Sequence, residues 1–288
     1  MPEPLTLMAV HAHPDDEAIG TGGVLARAAA EGIRTILVTC TGGEVGEIAP
    51  DTGVSAEALG EVRERELRQA ARILGITHLE LLGYRDSGMA GTADNEHPDA
   101  FAQADLNEAT ARLVELVRKY RPQVLVTYDE NGFYGHPDHI NAHRITVGAY
   151  EQAADPAHAS KNGLAPWAPA KLYYTAIAKS SFKEFGKRLR ELGIEPPMGD
   201  DGEAREQPDW GTPDELITTV VDVSGQVDQK RLALFAHATQ MGPEVFFARI
   251  PAEAFSQMFS RESFQLVKSR VPSSSPESDL FDGLREGA

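Results

Sequence analysis

The sequence predicts an α/β fold: three layers, with a Rossmann-like, mostly parallel sheet and a less regular C-terminal portion. Three observations lead there. Short apolar runs alternate with longer amphipathic ones through the first half, the helical patterns stop at glycines, and the two densest clusters of ionisable side chains each follow an apolar run. Such alternation implies right-handed βαβ crossovers, and hence a parallel sheet covered on both faces.

Residues 5–10, Leu-Thr-Leu-Met-Ala-Val, read as a strand buried on both sides. Residues 18–30 read as a helix, glycine-rich at its start and ending before Gly32. A second strand follows over 33–40, then a Gly-rich loop over 41–47. Residues 55–74 form a long amphipathic pattern with Ser55 as candidate N-cap and Gly75 as the stop. A third strand is expected over 78–82 and a polar, turn-rich loop over 84–101. Residues 106–120 place Leu113, Leu116, Val117 and Tyr120 on one helical face. Residues 123–127 are the fourth strand. Beyond it the pattern predicts a strand over 171–177, a helix over 182–192, an exposed acidic loop over 199–213, a strand over 216–223 and a helix over 226–237. The Ser/Pro cluster opening the tail, 273–288, predicts an extended or mobile end.

Composition removes several functions. A net charge of −17 leaves no basic face for general nucleic-acid binding. No apolar run approaches the ~20 residues of a membrane span, and the start lacks the basic and apolar regions of a signal peptide. The single cysteine, Cys40, allows no disulfide within the chain; it fits a reducing, cytoplasmic setting and reads as a small buried hydrophobe. The sequence leaves a homo-oligomer open.

The chemistry concentrates in two segments. The first, His11-Ala12-His13-Pro14-Asp15-Asp16-Glu17, places two imidazoles and three carboxylates at the end of the first strand. Burying such a group is costly unless a cation or substrate satisfies it. A histidine and a nearby aspartate are good ligands for a borderline cation such as Zn²⁺, and a second aspartate that does not ligate can take a proton from water. The bland reading, acids decorating a helix N-terminus, suits one aspartate better than this group. The second segment, Tyr128 to His139, follows the fourth strand and holds Tyr134-Gly135-His136-Pro137-Asp138-His139. Carboxyl ends of parallel strands are where open α/β sheets bind ligands, so the two segments are expected to converge. His139 and His143 stand at i and i+4 on the expected helix; that spacing alone is a weak metal signal, and His143 reads as structural or supporting. Residues 1–160 are thus expected to form an α/β metal-binding core, and 161–288 to complete the substrate pocket within one continuous catalytic unit.

Ala12-His13-Pro14-Asp15-Asp16-Glu17 together with Tyr134-Gly135-His136-Pro137-Asp138-His139 resembles the LmbE-like (PIG-L) zinc deacetylases, which remove acyl groups from N-acylated sugars. Tyr84-Arg85-Asp86-Ser87-Gly88-Met89 and His237-Ala238-Thr239-Gln240 resemble the mycothiol branch, which includes N-acetylglucosaminyl-inositol deacetylases and mycothiol S-conjugate amidases. The resemblance implies that His13, Asp16 and His139 ligate Zn²⁺, with Fe²⁺ accepted by the same donors. It implies Asp15 as general base, His136 as the group that protonates the leaving amine or stabilises the intermediate, and Tyr134 as donor to the developing oxyanion. Asp138 would orient His136 or a ligand histidine, and His11 would support rather than ligate. Arg63 and Asp86 match substrate-binding positions, for the non-sugar part and the sugar hydroxyls; a surface helix charge and an Asx-turn are their plain alternatives. Glu44 and Glu47 are candidates for the crevice wall. The expected substrate is a small N-acylated amino-sugar glycoside. Residues 18–23 lack the lysine of the amidases compared, which favours sugar deacetylation, with the S-conjugate amidase as alternative. A non-catalytic sugar- or metal-binding protein would be expected to lack the extra base, and a nucleotide-binding Rossmann protein would carry Gly-x-Gly-x-x-Gly after the first strand.

Overall fold

The computed structural model describes residues 4–196, 211–273 and 275–285. Its strands are β1 (Thr6–His11), β2 (Arg34–Thr41), β3 (His78–Tyr84), β4 (Val124–Thr127), β5 (Lys171–Ala176), β6 (Thr219–Asp222) and β7 (Arg261–Ser269). They make one sheet of order β3-β2-β1-β4-β5-β7-β6. The first five neighbours in that order pair in parallel; β7 runs antiparallel to β5, and β6 antiparallel to β7.

The apolar run from Leu7 to Val10 within β1 follows from burial on both faces. Met8 and Val10 pack with Ile36, Val38 and Leu125 beneath α4 (Leu106–Tyr120) and α6 (Pro137–Gln152). Leu7 and Ala9 pack with Leu37 and Val126 against Val24, Leu25 and Ala28 of α2 (Gly22–Ala30) and Leu67 of α3 (Leu59–Leu74). On the α3 side also lies α8 (Val227–Ala236), and α7 (Lys179–Glu191), α9 (Phe246–Arg249) and α10 (Ala252–Met258) complete the C-terminal portion. Among the described residues no helix is long and apolar enough to cross a membrane.

Several elements differ from the sequence pattern. The helix expected over 18–30 is two helices, α1 (Asp16–Gly20) and α2, separated at Thr21. The Thr21 hydroxyl donates to Glu17 O and so is left to accept from His11 Nε2, which fixes a break where glycines weaken the helix. The pattern over 55–74 opens with a 3-10 turn, Ala56–Ala58, and Ser55 makes no side-chain cap bond. The strand expected over 216–223 shortens to β6, preceded by a 3-10 turn at Asp214–Leu216. Strand β7 was not anticipated. The loop expected over 199–213 lies largely outside the described residues.

Within the tail, the described residues 275–285 pack against the sheet. Leu280 and Phe281 are buried in the sheet's second core. Glu277 is buried too, accepting from Lys171 Nζ at 2.6 Å, Tyr173 OH at 2.6 Å and Thr219 Oγ1 at 2.8 Å. Polar composition concealed this, because the packing residues are sparse and the carboxylate's partners lie on β5 and β6. Removing one member of a buried pair strands the other charge, at a cost of ~3–5 kcal/mol. Glu277→Ala is therefore expected to lower unfolding stability by about that amount in a urea titration; an unchanged midpoint would contradict the role given to the tail.

Candidate active site

The chain runs β1, β2, β3 outward on one side of the sheet and then returns to place β4 against the other side of β1. The β1/β4 boundary is therefore the topological switch point, where connections leave in opposite directions and open a crevice at the strands' carboxyl ends. Both polar segments emerge there.

Three atoms from them form a nearly equilateral triangle. His13 Nδ1 lies 3.4 Å from Asp16 Oδ2 and 3.3 Å from His139 Nε2, and Asp16 Oδ2 lies 3.5 Å from His139 Nε2. Ligands at ~2.0–2.1 Å from a tetrahedral ion stand about 3.3–3.4 Å apart, so the triangle fits one small divalent cation. His13 Nε2 bonds Asp138 Oδ2 at 3.1 Å, which places a proton there and leaves Nδ1 facing the triangle, where a bound cation would take the place of the Nδ1 proton. Burial presses His139 down to about 3, so it is neutral and able to ligate. Burial works against a charged His13 as well, yet the hydrogen bonds it donates to Asp138, Asp16 and Asp86 hold it well above the ordinary histidine range. So much carboxylate around one imidazole calls for positive charge.

His13, Asp86, His136 and Asp138 also lie close enough for a second grouping, on the Nε2 side of His13. Asp138 is engaged there already. Its carboxylate accepts from Ser87 N at 2.9 Å and from the Ser87 hydroxyl as well as from His13. It therefore orients His13. Towards His136 it offers its backbone N–H, at 3.2 Å from Nδ1, so His136 caps α6 and carries its own proton on Nε2. Burial and the neighbouring His13 lower the pKa of His136.

Asp15 stands apart from the triangle. Its φ of 115° is unusual for a side-chain-bearing residue and costs ~1–3 kcal/mol unless the surroundings enforce it. Its N–H donates to Glu17 Oε2 at 3.0 Å and its Oδ2 lies 3.3 Å from Arg63 Nη2. Burial raises its carboxyl to about 6, opposed by Arg63 and reinforced by Asp16. Arg63 is no surface charge: it is 3% exposed, and also donates to Gly43 O and Pro14 O, at 3.0 and 2.5 Å. Its Nε–H is buried without a protein acceptor.

Around this centre, Asp86 is buried and its Oδ1 accepts from Gly88 N at 2.9 Å, an Asx-turn, while lying 3.5 Å from His13 Nε2. Burial opposes its charge, but His13 and Gly88 hold its pKa far below the carboxylate range. Glu44 accepts from Asp86 N, and Glu47 O accepts from Gln240. Tyr134 is 42% exposed, its ring 5.0 Å from His139 and 6.0 Å from His136, which puts it at the crevice mouth. It belongs to the short turn α5 (Gly132–Gly135), where Gly132 has a φ of 62° and a Cβ would meet His139 Cβ at 2.7 Å. His143 points back to Tyr128 O at 3.0 Å and takes a structural place. His11 is fully buried beneath, bonded to Thr21. Cys40 is buried in the core, and burial pushes its thiol pKa far up.

Sequence reasoning gave no role to Tyr128 or Ser87 and, though it left Glu17 in a supporting place, did not pair it with His237. Tyr128 OH donates to Asp16 Oδ2 at 2.7 Å and accepts from Ala12 N at 2.8 Å, joining the two strand ends. Its position as the first residue after β4 was the available signal. Tyr128→Phe orphans a buried N–H and frees Asp16. Expected are a loss of ~1–3 kcal/mol in denaturant unfolding and a ~10–100-fold weaker hold on metal in chelator competition; wild-type values in both would remove Tyr128 from the site.

Fold and site define a class: α/β proteins with a buried cluster of imidazoles and carboxylates at the sheet's switch point, close enough together to hold a cation. The PIG-L family model, described as GlcNAc-PI de-N-acetylase, matches residues 8–150. The chain is 46% identical over 291 residues to the 1D-myo-inositol 2-acetamido-2-deoxy-alpha-D-glucopyranoside deacetylase of Salinispora arenicola, covering 96% of this chain and 91% of that protein. It is 48% identical over 249 residues to the deacetylase of that name from Thermobispora bispora, covering 83% and 80%. The chain belongs to the PIG-L family. Its fold is shared with N,N'-diacetylchitobiose deacetylase from Pyrococcus horikoshii, at a TM-score of 0.62 and 18% identity over 91% of this chain and 83% of that one.

Proposed function

We propose that this protein hydrolyses the N-acetyl amide of an N-acetylglucosamine-type glycoside, N-acetylglucosaminyl-inositol above all, releasing acetate and a free amine. The observation that carries this reading is the His13–Asp16–His139 triangle with a separate carboxylate, Asp15, held beside it. The names of the relatives supply the substrate.

His13 Nδ1, Asp16 Oδ2 and His139 Nε2 would hold Zn²⁺, with Fe²⁺ as the ion the same donors accept. When bound, the ion polarises the amide carbonyl and lowers the pKa of water toward ~7. The chain's own residues do the rest. Asp15 accepts the proton of the attacking water, its backbone fixed by Glu17 and its carboxylate by Arg63. The Tyr134 hydroxyl donates to the carbonyl oxygen as negative charge develops. His136, with its proton on Nε2, donates a hydrogen bond to the tetrahedral intermediate, and the proton that Asp15 takes from water passes on to the departing nitrogen. Asp86 receives sugar hydroxyls, since the Gly88 N–H uses only part of its acceptor capacity. Arg63, held beside Asp15, is assigned to the non-sugar part. Residues 161–288 finish the same catalytic unit: β5, β6 and β7 extend the sheet, and His237 reaches Glu17. The lone buried thiol Cys40 suits a cytoplasmic enzyme.

The test is release of primary amine by the Zn²⁺-loaded protein across a panel of N-acetylated glycosides, with a mycothiol-type S-conjugate alongside. N-Acetylglucosaminyl-inositol is expected to be turned over fastest. Faster cleavage of the S-conjugate, or no turnover of any amide, would overturn the reading.

A further inference from the structure

Beneath Asp15 lies a pair of ionisable side chains that take no part in the proton transfers themselves. Glu17 and His237 are each 0% exposed, and His237 Nε2 lies 2.7 Å from Glu17 Oε1. The two come from opposite ends of the chain, 220 residues apart. Glu17 belongs to the first turn of α1; His237 follows the last residue of α8.

The two oxygens of Glu17 face different partners. Oε1 meets the His237 imidazole, and Oε2 accepts the backbone N–H of Asp15 at 3.0 Å. That N–H belongs to the residue with the φ of 115°. A backbone in such a conformation persists only where its surroundings hold it, and Glu17 holds it from below while Arg63 grips the carboxylate and Pro14 O. Glu17 in turn needs holding, because its rotamer decides whether Oε2 points at Asp15 N. His237 supplies that. The segment behind His237 is itself anchored: Thr239 N and Oγ1 donate to Glu66 of α3 at 2.8 and 2.6 Å, and Thr239 O accepts from Ala49 N at 2.8 Å.

We propose that His237 is a positioning residue for Asp15: through Glu17 it fixes the backbone of the base, and so makes the C-terminal portion part of the catalytic apparatus. The inference rests on the assignment of Asp15 as general base. It requires a donor at the place of Nε2, and nothing else that is particular to imidazole.

The experiment compares His237→Leu with His237→Gln in the full-length, Zn²⁺-loaded protein. Glutamine carries an N–H to about the reach of Nε2; leucine carries none. Three quantities are read: kcat and KM on N-acetylglucosaminyl-inositol, bound Zn²⁺ by elemental analysis, and amide hydrogen exchange of the peptide spanning Ala12 to Glu17. Displacement of a catalytic group by about 1 Å can cost ~10²-fold, so His237→Leu is expected to lower kcat by about that factor. KM and Zn²⁺ content stay near wild type, and exchange at Asp15 quickens. His237→Gln is expected to recover most of kcat and the slow exchange. If the leucine variant does not fold, His237→Asn, whose amide stops short of Glu17, replaces it with the same loss expected. Wild-type kcat and exchange in the donor-less variant would overturn the proposal. So would equal losses in the leucine and glutamine variants, or a fall in kcat that tracks lost Zn²⁺. A wild-type protein that turns over no glycoside would overturn the functional reading alone, and the exchange rates would then decide whether His237 holds Asp15.

Discussion

Asp15→Asn is expected to lower kcat by ~10²–10⁴-fold, the range that a positioned general base supplies, with bound Zn²⁺ unchanged. The choice of asparagine matters. Asp15 has a φ of 115°, and asparagine tolerates positive φ better than alanine does, so the variant keeps the local backbone. Its amide oxygen can still accept from Arg63 Nη2, as Asp15 Oδ2 does at 3.3 Å. What it loses is the ability to take a proton from water. The metal should stay, because the triangle of His13, Asp16 and His139 does not include Asp15. KM should move little, since a base acts on the transition state rather than on the bound substrate. Amine release, titrated against Zn²⁺ content on the same sample, checks both halves. Turnover within about tenfold of wild type would leave general-base catalysis unsupported at this position. Loss of Zn²⁺ would mean that Asp15 is a ligand and that the triangle is misassigned.

The parallel half of the fold was legible because β1, β2 and β4 are apolar on both faces and α4 is amphipathic around Leu113 and Val117. The motifs were legible because each sits in a short run at a strand end. Contacts made over long sequence distances were not. Tyr128 reads as one more aromatic until the β1–β4 pairing brings its hydroxyl to Asp16 and Ala12. Arg63 sits among Glu61, Glu64 and Arg65 on a helix that looks solvated, and only the fold of the Gly-rich loop over α3 shows it buried against Gly43 O and Pro14 O. Strand β7 has no parallel partner and a mixed pattern, Arg-Glu-Ser-Phe-Gln-Leu-Val-Lys-Ser, so neither periodicity nor crossover logic could claim it. The tail misled for the opposite reason: Ser and Pro masked Glu277, Leu280 and Phe281, whose burial depends on a pocket built by β5, β6 and α2.

His139→Ala is expected to strip the metal, and His143→Ala to keep it. Both histidines lie on α6 one turn apart, the spacing that makes a helical metal pair plausible from sequence. The structure separates them. His139 Nε2 enters the triangle, 3.3 Å from His13 Nδ1 and 3.5 Å from Asp16 Oδ2. His143 Nδ1 turns instead to Tyr128 O at 3.0 Å, and its ring packs 4.9 Å from Tyr174. Losing a group that merely orients a ligand costs ~10–100-fold in metal affinity, so losing one of three direct ligands should cost more than about 100-fold. Elemental analysis after dialysis against a mild chelator reads the difference directly. The alanine at 139 should leave the protein folded, because the imidazole's Nδ1 is buried without a partner and its removal orphans nothing; the stacking against Tyr128, with centroids 4.2 Å apart, is what is lost. Full Zn²⁺ occupancy in His139→Ala would refute the ligand assignment. Loss of Zn²⁺ in His143→Ala, with His139 intact, would show instead that the hold of α6 on Tyr128 O is what keeps Tyr128, and through it Asp16, in place.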